Sequence, residues 1–216
     1  MNVTVDGGRT WTERPAPAHA LGRIQPLEGL RGFIIGARDD CTAHERATED
    51  DAKTWSSPVA VQGGWSRVPG GKQPGLLITP KLADARPCGS ASIIDFARVS
   101  AVQAVALCVD GRIVRSTDGG LRWTQYTTAT GGMALSVRED SGATSTYVAR
   151  IADGCHGIEV SQAAEGSMTR VACVKAPLQG AEGRISLSVV DTGGWLLVAG
   201  QTWRSAADLA AWSPAA

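Results

Sequence analysis

The stretch TVDGGRTW, Thr4 to Trp11, decides the fold of this chain because its pattern returns further along. STDGGLRW, Ser116 to Trp123, repeats it closely, and TEDDAKTW, Thr48 to Trp55, keeps most of it. Each copy begins with a hydroxyl residue, has an aspartate two positions later and a tryptophan seven positions later. A turn-like segment that recurs in this way indicates an internal repeat.

The spacing of the copies predicts the kind of repeat. Two weaker copies follow, SQAAEGSM from Ser161 to Met168 and SAADLAAW from Ser205 to Trp212. The five copies begin at positions 4, 48, 116, 161 and 205, so three of the four spacings are 44 or 45 residues. A period of about 40–50 residues with strand-like content is typical of four-stranded propeller blades. The sequence therefore predicts an all-β fold, a β-propeller of four-stranded antiparallel blades.

Each position of the repeated turn has a structural role. The aspartate accepts backbone N–H groups within the turn. The glycine four positions after the hydroxyl residue tolerates a positive φ, and the tryptophan fills the gap between the hairpin and its neighbour. We therefore expect a scaffold role, rather than catalysis, for Thr4, Asp6, Gly8, Trp11, Thr48, Asp50, Trp55, Ser116, Asp118, Gly120 and Trp123.

The motif resembles the Asp-box, or BNR repeat, S/T-x-D-x-G-x-T-W. This repeat occurs in sialidase-like propellers, sortilin-type receptors, xyloglucanases and photosystem II assembly factors. The second copy has Ala52 in place of the glycine, the third has Arg122 in place of the threonine, and the last two copies fit mainly by position. The resemblance covers nearly the whole chain and implies a propeller. It implies little about activity, because the family places this box on the rim, away from the central site.

The repeat also sets the expected organisation. We predict a single domain or fragment over residues 1–216, with blade ends near 17, 65, 129, 178 and 216 and about four and a half blades. The strands of the second blade are predicted at Gly22–Glu28, Gly32–Arg38, Ala43–Thr48 and Thr54–Val61. The first blade holds only its last two strands, so we expect part of a longer propeller, or alternatively an open or dimerised array. Exposed strand edges favour self-association.

A segment between the second and third boxes departs from the period. Residues 66–88 are rich in Pro, Gly and Lys and are predicted to form a loop insertion, either a surface excursion or a lid. Outside the boxes the tryptophans are Trp65, Trp195 and Trp203. Trp195 begins an apolar strand, so Trp65, beside the insertion, is the best candidate for an exposed aromatic ring.

The five cysteines are Cys41, Cys88, Cys108, Cys155 and Cys173. Two pairs are spaced symmetrically about predicted hairpins, which predicts the disulfides Cys88–Cys108 and Cys155–Cys173. Disulfides indicate an oxidising, extracytoplasmic compartment, although this chain shows no signal sequence. Cys41 is left over, with a partner upstream of Met1 as one explanation. The alternative is that all five cysteines are buried apolar side chains.

Charge and composition exclude several classes of protein. The chain has 21 basic and 21 acidic residues, which argues against a nucleic-acid partner. The sequence contains no run of about 18 apolar residues, so it predicts no membrane-spanning helix. The cysteines and three histidines lack the spacing of a zinc site, and no phosphate-binding loop occurs. We expect no metal and no cofactor.

Catalytic groups are difficult to identify. A sialidase needs a tyrosine nucleophile, but Tyr126 follows a box tryptophan and Tyr147 lies on a predicted inner strand. Aspartates are predicted in the loops between the second and third strands of the blades. They are either solvated turn residues or the paired carboxylates of a glycosidase. The candidate binding face on this side comprises Arg38, Asp39, Asp40, Trp65, Asp110, Asp153 and His156.

These observations favour a non-catalytic binding or scaffold module, with a protein or a glycan as ligand. The alternative is a carbohydrate-active enzyme, sialidase-like or another glycoside hydrolase, with part of its site upstream of Met1. A second alternative is an assembly factor for a larger complex. No catalytic residue is assigned.

Overall fold

The computed structural model describes residues 1–5, 10–26, 30–39, 42–61, 64–68, 74–82, 84–140 and 143–215. These residues form antiparallel strands joined by turns and loops, with no helix among them and hence none that could cross a membrane. Four of the described sheets have four strands each, and two have two strands. The chain therefore has the all-β fold of four-stranded propeller blades that the repeat predicted.

The chain divides into two compact units, Met1–Asp84 and Ala85–Ala216. We call them the N-terminal and the C-terminal unit, and a single domain over the whole chain stays a prediction. The strands of the N-terminal unit are β1 (Asn2–Val3), β2 (Thr12–Glu13), β3 (Ala20–Pro26), β4 (Gly32–Ala37), β5 (His44–Thr48), β6 (Val59–Ala60), β7 (Ser66–Arg67) and β8 (Leu77–Ile78).

Strands β3 to β6 form blade 2, an antiparallel sheet in which each strand pairs with the next one along the chain. Hairpin β1–β2 precedes this blade in the sequence, and hairpin β7–β8 follows it. The apolar run of β4 supplies its centre, where Ile34 and Ile35 are each 1% exposed. The last strand is shorter than predicted and covers only Val59–Ala60. Two local features explain the short strand. The backbone N–H of Thr54 donates to the side chain of Asp50 in the turn and not to the backbone of β5. Pro58 has no backbone N–H to donate.

The insertion is partly ordered structure rather than only a loop. Within its described part, the β7–β8 hairpin carries buried side chains, including Leu77 at 0% exposure. Trp65, at its start, is 2% exposed, so its predicted exposure is wrong. The Trp65 carbonyl also accepts a hydrogen bond from Arg23 Nη1 at 2.9 Å. The indole ring thus belongs to the core of the N-terminal unit and leaves the candidate binding face.

The C-terminal unit contains three complete blades. Blade 3 is β9 (Ile93–Arg98), β10 (Ala104–Cys108), β11 (Arg112–Ser116) and β12 (Thr124–Thr128). Blade 4 is β13 (Gly132–Asp140), β14 (Ala143–Arg150), β15 (Ile158–Ala164) and β16 (Ser167–Val174). Blade 5 is β17 (Ile185–Val190), β18 (Gly193–Val198), β19 (Gln201–Ser205) and β20 (Trp212–Pro214).

Apolar side chains pack successive blades of this unit against each other. One buried cluster joins blades 3 and 4, and a second joins blades 4 and 5. Full burial of each large aliphatic side chain is worth about 1.5–3 kcal/mol. The first strands are also bridged by polar contacts: the Leu135 N–H donates to Asp95 Oδ2 at 2.8 Å, and the Val189 N–H donates to Ser136 Oγ at 2.9 Å.

Both predicted disulfides are present, with Cα–Cα distances of 5.7 Å for Cys88–Cys108 and 5.6 Å for Cys155–Cys173. Their geometry differs from the prediction of cysteines facing each other across a hairpin. Cys88 and Cys155 lie in the turns before β9 and β15, so each disulfide ties a loop to a strand. Both bonds are consistent with an extracytoplasmic location. Cys41 lies outside the described residues.

Candidate functional site

The second box, Thr48 to Trp55, forms a turn held by its own side chains. Thr48 Oγ1 donates to Asp50 Oδ1 at 2.9 Å and accepts the Ala52 N–H at 3.1 Å. Asp50 also accepts the N–H of Thr54 at 2.9 Å and its hydroxyl at 2.6 Å. The Thr54 hydrogen bonds lower the pKa of Asp50 to about 2, because they favour the charged carboxylate.

The third box, Ser116 to Trp123, has the same arrangement. Ser116 Oγ donates to Asp118 at 3.0 Å and accepts the Gly120 N–H at 3.0 Å. The N–H of Arg122 donates to Asp118 at 3.0 Å and lowers the pKa of that carboxyl group. In both turns the aspartate is occupied by hydrogen bonds from its own turn, which is a structural use.

The other copies depart from this arrangement. Asp6 and Gly8 of the first box lie outside the described residues. In the fourth copy Ser161 lies inside β15 and donates to Glu159, and the turn is a short loop at Glu165 and Gly166. The fifth copy turns at Leu209, whose N–H donates to the Ala206 carbonyl at 3.0 Å. The hydroxyl residue of the fourth copy therefore does not open a turn.

The box tryptophans are less buried than expected. Trp55 and Trp123 are half-buried, and Trp11 is 61% exposed. The expectation that the tryptophan fills a gap is therefore wrong for Trp11, since no described neighbour covers most of its ring.

The remaining predicted binding residues fall into two groups. In the N-terminal unit, Arg38 and Asp39 line a pocket of about 320 Å³ together with His44 and Arg46. Asp39 is paired with His19 at 3.0 Å. Asp40 lies outside the described residues. Sequence reasoning missed His44 and Arg46, which alternate on β5 and so point to the same side of the sheet.

The other predicted residues belong to the C-terminal unit. Asp110 is bound by Arg112, with Nε 2.7 Å from Oδ2, and this hydrogen bond lowers the pKa of Asp110. Asp153 and His156 are exposed beside Cys155. Tyr147 is 3% exposed beneath the guanidinium group of Arg138, so it is not an accessible nucleophile.

A buried ion cluster in blade 4 had no counterpart in the sequence prediction. Glu159 is 0% exposed and accepts hydrogen bonds from Ser161 Oγ, Arg150 Nη2 and Arg170 Nε, each at 2.5 Å. Burial alone would raise the pKa of Glu159, but these donors outweigh it and the pKa is lowered. Arg170 also donates to the Asp153 carbonyl at 2.9 Å, so the cluster holds the loop beside the disulfide.

A further candidate site is an apolar groove of about 620 Å³ in the N-terminal unit. Its floor includes Ile34 and Ala52, which are 1% and 4% exposed. Large apolar side chains with exposures between 48% and 67% surround it; they are Val5, Trp11, Ile24 and Leu30. This volume and lining are typical of a site that binds apolar groups.

The groove lining also includes polar residues, and two of its charged groups are paired. Asp51 lies 3.7 Å from Arg14, as a salt bridge. The amino group of Met1 donates to the Arg14 carbonyl at 2.8 Å. Among the described residues no cluster of three or more His, Cys, Asp or Glu side chains could hold a metal ion.

No family model and no curated protein matches this sequence. Among solved structures it is similar to YCF48 bound to a D1 peptide, with 18% identity over 96% of this chain and 57% of that chain and a TM-score of 0.35. It is also similar to YCF48 from Cyanidioschyzon merolae, with 13% identity over 98% and 62% of the two chains and a TM-score of 0.43. The GH74 enzyme of Niastella koreensis matches at 12% identity over 90% and 30%, with a TM-score of 0.40. The chain thus spans less than two thirds of the length of each of these structures.

Proposed function

We propose that this chain is an extracytoplasmic, non-catalytic binding module of the Asp-box propeller type, and that it holds an extended apolar polypeptide segment of a protein partner. The observation that carries the proposal is the apolar groove of the N-terminal unit. Contiguous apolar surface costs about 25 cal/mol for each Å² left in water. Large exposed apolar patches accordingly mark interaction sites.

A strand edge beside the groove favours a polypeptide over a glycan. Strand β1, Asn2–Val3, pairs with β2 and with no other strand in the described ranges. Its second edge presents backbone N–H and C=O groups, which an added strand can satisfy while its side chains enter the groove. A sugar has hydroxyl groups but no extended backbone that could continue a β-sheet.

Four carboxyl groups have structural roles. Asp50, Asp110, Asp118 and Glu159 each accept hydrogen bonds from donors of their own turn or sheet, and these hydrogen bonds lower their pKa values. An assembly factor, the second alternative, would also bind polypeptide.

Peptide binding at the groove can be tested by fluorescence anisotropy. The probes are labelled seven-residue peptides in which Ile or Val alternates with Ser or Thr, and a matched set interrupted by proline. We expect micromolar binding of the alternating peptides, weaker by tenfold or more in Trp11→Ser and Ile24→Ser. The control variants are Val109→Ser and Leu178→Ser, which change exposed apolar residues of the other unit.

Three outcomes would contradict this function. The first is no binding of any alternating peptide, and the second is an equal loss in the control variants. The third is a dimer, detected by light scattering, that dissociates on Trp11→Ser, because the groove would then hold a second copy. Turnover of a fluorogenic glycoside that is abolished by Asp153→Asn would instead establish the enzyme.

A further inference from the structure

Blade 5 carries a second candidate site, independent of the apolar groove. One face of its sheet is buried against blade 4 through Leu187, Leu196 and Trp203, which are 6%, 0% and 5% exposed. The opposite face is exposed to solvent. Pairing places Ser188, Trp195, Arg204 and Ser213 in one row across its four strands. Side chains directly opposite each other in such a row have Cβ atoms about 4.5–5.5 Å apart.

Trp195 is the unusual member of this row. It lies on an apolar strand yet is 37% exposed, whereas Trp203 on the next strand is 5% exposed. Trp212 of the same blade is half-buried, and its indole N–H donates to the Leu209 carbonyl at 2.9 Å. Trp195 therefore presents an aromatic surface that neither the core nor the turn of this blade uses.

A cavity of about 380 Å³ opens beside Trp195. Its lining includes three hydroxyl-bearing residues, Thr192, Ser205 and Ser213, together with Arg204. Arg204 is the one charged side chain of this lining, and within the described ranges it makes no hydrogen bond or ion pair. An uncompensated cation at the wall of a cavity selects an anionic ligand.

From these features we infer that the exposed face of blade 5 binds a saccharide that carries a carboxylate. The indole of Trp195 stacks on the apolar C–H face of the sugar ring. The planar fork of Arg204 pairs with the carboxylate through two parallel hydrogen bonds. The hydroxyl groups of Thr192 and Ser213 exchange hydrogen bonds with the sugar hydroxyls.

The cavity supports a sugar in size and in chemistry. Its volume lies within the range of about 300–1,000 Å³ found for small-molecule sites. Apart from Arg204, the polar side chains of its lining carry hydroxyl groups. A hydroxyl group both donates and accepts hydrogen bonds, so these side chains match the hydroxyl groups of a sugar. An acidic peptide would pair with Arg204 but would form fewer hydrogen bonds with these hydroxyl groups.

The test is calorimetric titration of the full chain with trigalacturonate, using a neutral galactose trimer as the matched ligand. We expect binding of trigalacturonate and at least tenfold weaker binding of the neutral trimer. Trp195→Ala and Arg204→Gln should each weaken trigalacturonate binding about tenfold or more. The control variants Val109→Ala and Arg122→Gln replace an exposed apolar residue and an exposed arginine of blade 3, and they should change it less than twofold.

Several results would overturn the inference. Trigalacturonate that fails to bind up to about 10 mM would do so. Equal binding of the neutral trimer would remove the role of Arg204. A tetraglutamate peptide that binds as tightly, with the same dependence on Trp195, would make the occupant a polypeptide. Equal losses in the control variants would show that the effect is not local to blade 5.

Discussion

At the scale of the residue, the turn at Thr48–Trp55 shows how few atoms define the repeat. One hydroxyl group and one carboxylate satisfy the backbone N–H groups of the turn. Ala52 has a φ of 58°, where the third copy has Gly120 at 90°. A left-handed conformation costs a non-glycine residue about 1–2 kcal/mol, so this turn persists because its side-chain hydrogen bonds hold it in place.

Thr54→Val should raise the pKa of Asp50 from about 2 towards the ordinary value of about 3.9. The reason is the loss of the hydroxyl donor at 2.6 Å, while the backbone donor of position 54 stays. A depressed folded-state pKa contributes stability above the unfolded value, and this stability is lost as the pH falls towards 2. In the variant the free energy of unfolding should therefore depend less on pH between about 2 and 4. Carbon-13 NMR titration of the carboxyl group measures the shift, and the control Thr124→Val, in strand β12 of the C-terminal unit, should leave the pKa of Asp50 unchanged.

Ala52→Gly should leave the protein equally stable or stabilise it by up to about 1 kcal/mol, because glycine adopts this φ without strain. The reverse change, Gly120→Ala, should destabilise it by about 1–2 kcal/mol at the matching position. Urea unfolding of the two variants compares these free energies. A stabilising effect of Gly120→Ala would show that backbone strain does not govern this position.

At the scale of the element, a buried ion cluster and two disulfides hold strands and loops of blades 3 and 4 together. Glu159 lies on β15 and takes its partners from β14 and β16, so the cluster joins three strands of one sheet. The disulfides fasten the loop at Cys88 to β10 and the loop at Asp153–Cys155 to β16. Loops fixed in this way lose little conformational entropy when they bind a ligand.

Glu159→Gln should lower the free energy of unfolding by about 3 kcal/mol, because it leaves two guanidinium groups without their buried counter-charge. Glu165→Gln, an exposed residue of the same blade, is the control and should change stability by less than about 0.5 kcal/mol. The stability that Glu159 contributes should be lost as the pH falls below about 4, since its folded-state pKa is lowered. Urea unfolding at pH 7 and pH 3 measures both effects, and equal losses in the two variants would contradict the role of the cluster.

Removal of one disulfide by Cys155→Ser together with Cys173→Ser should cost about 3 kcal/mol, as expected for a loop closed over 18 residues. In the unreduced, denatured protein we expect no more than one reactive thiol per chain, because four of the five cysteines are bonded. Titration with a thiol reagent checks this number. Five reactive thiols would contradict both bonds.

At the scale of the whole molecule, stability is distributed unevenly along the chain. The two large buried clusters and both disulfides lie within Ala85–Ala216. The described residues of the N-terminal unit form one four-stranded sheet and two short hairpins, and they line the exposed apolar groove. It therefore has less buried apolar area to offset the conformational entropy of folding.

We expect residues 1–84 to unfold at a lower urea concentration than residues 85–216. Hydrogen exchange followed by mass spectrometry resolves the two units along a urea series, because each amide reports its own local opening. Reduction of the disulfides should bring the two midpoints closer together. A single shared midpoint for all peptides in the unreduced protein would contradict this prediction.

The sequence by itself determined the features that depend on local spacing. The hydroxyl and aspartate of a box bind N–H groups within five residues of each other, so their pattern predicts the turn, and the period of the turns predicts the blades. The disulfide pairs were predictable for a similar reason, because each joins segments of one hairpin region. The fourth copy shows the limit of this reasoning: without the aspartate, period alone did not produce the turn.

Tertiary structure decided the environment of side chains that are distant along the chain. Trp65 is buried and Trp195 exposed, the reverse of what their neighbours in sequence suggested, because burial depends on which elements pack over a residue. The pairing of Glu159 with Arg150 and Arg170 depends on strand register, which brings three strands together in one sheet. The apolar groove likewise arises from segments between Met1 and Trp55 that converge only when folded. Periodicity is a property of the chain, whereas a binding surface is made of neighbours that only folding brings together.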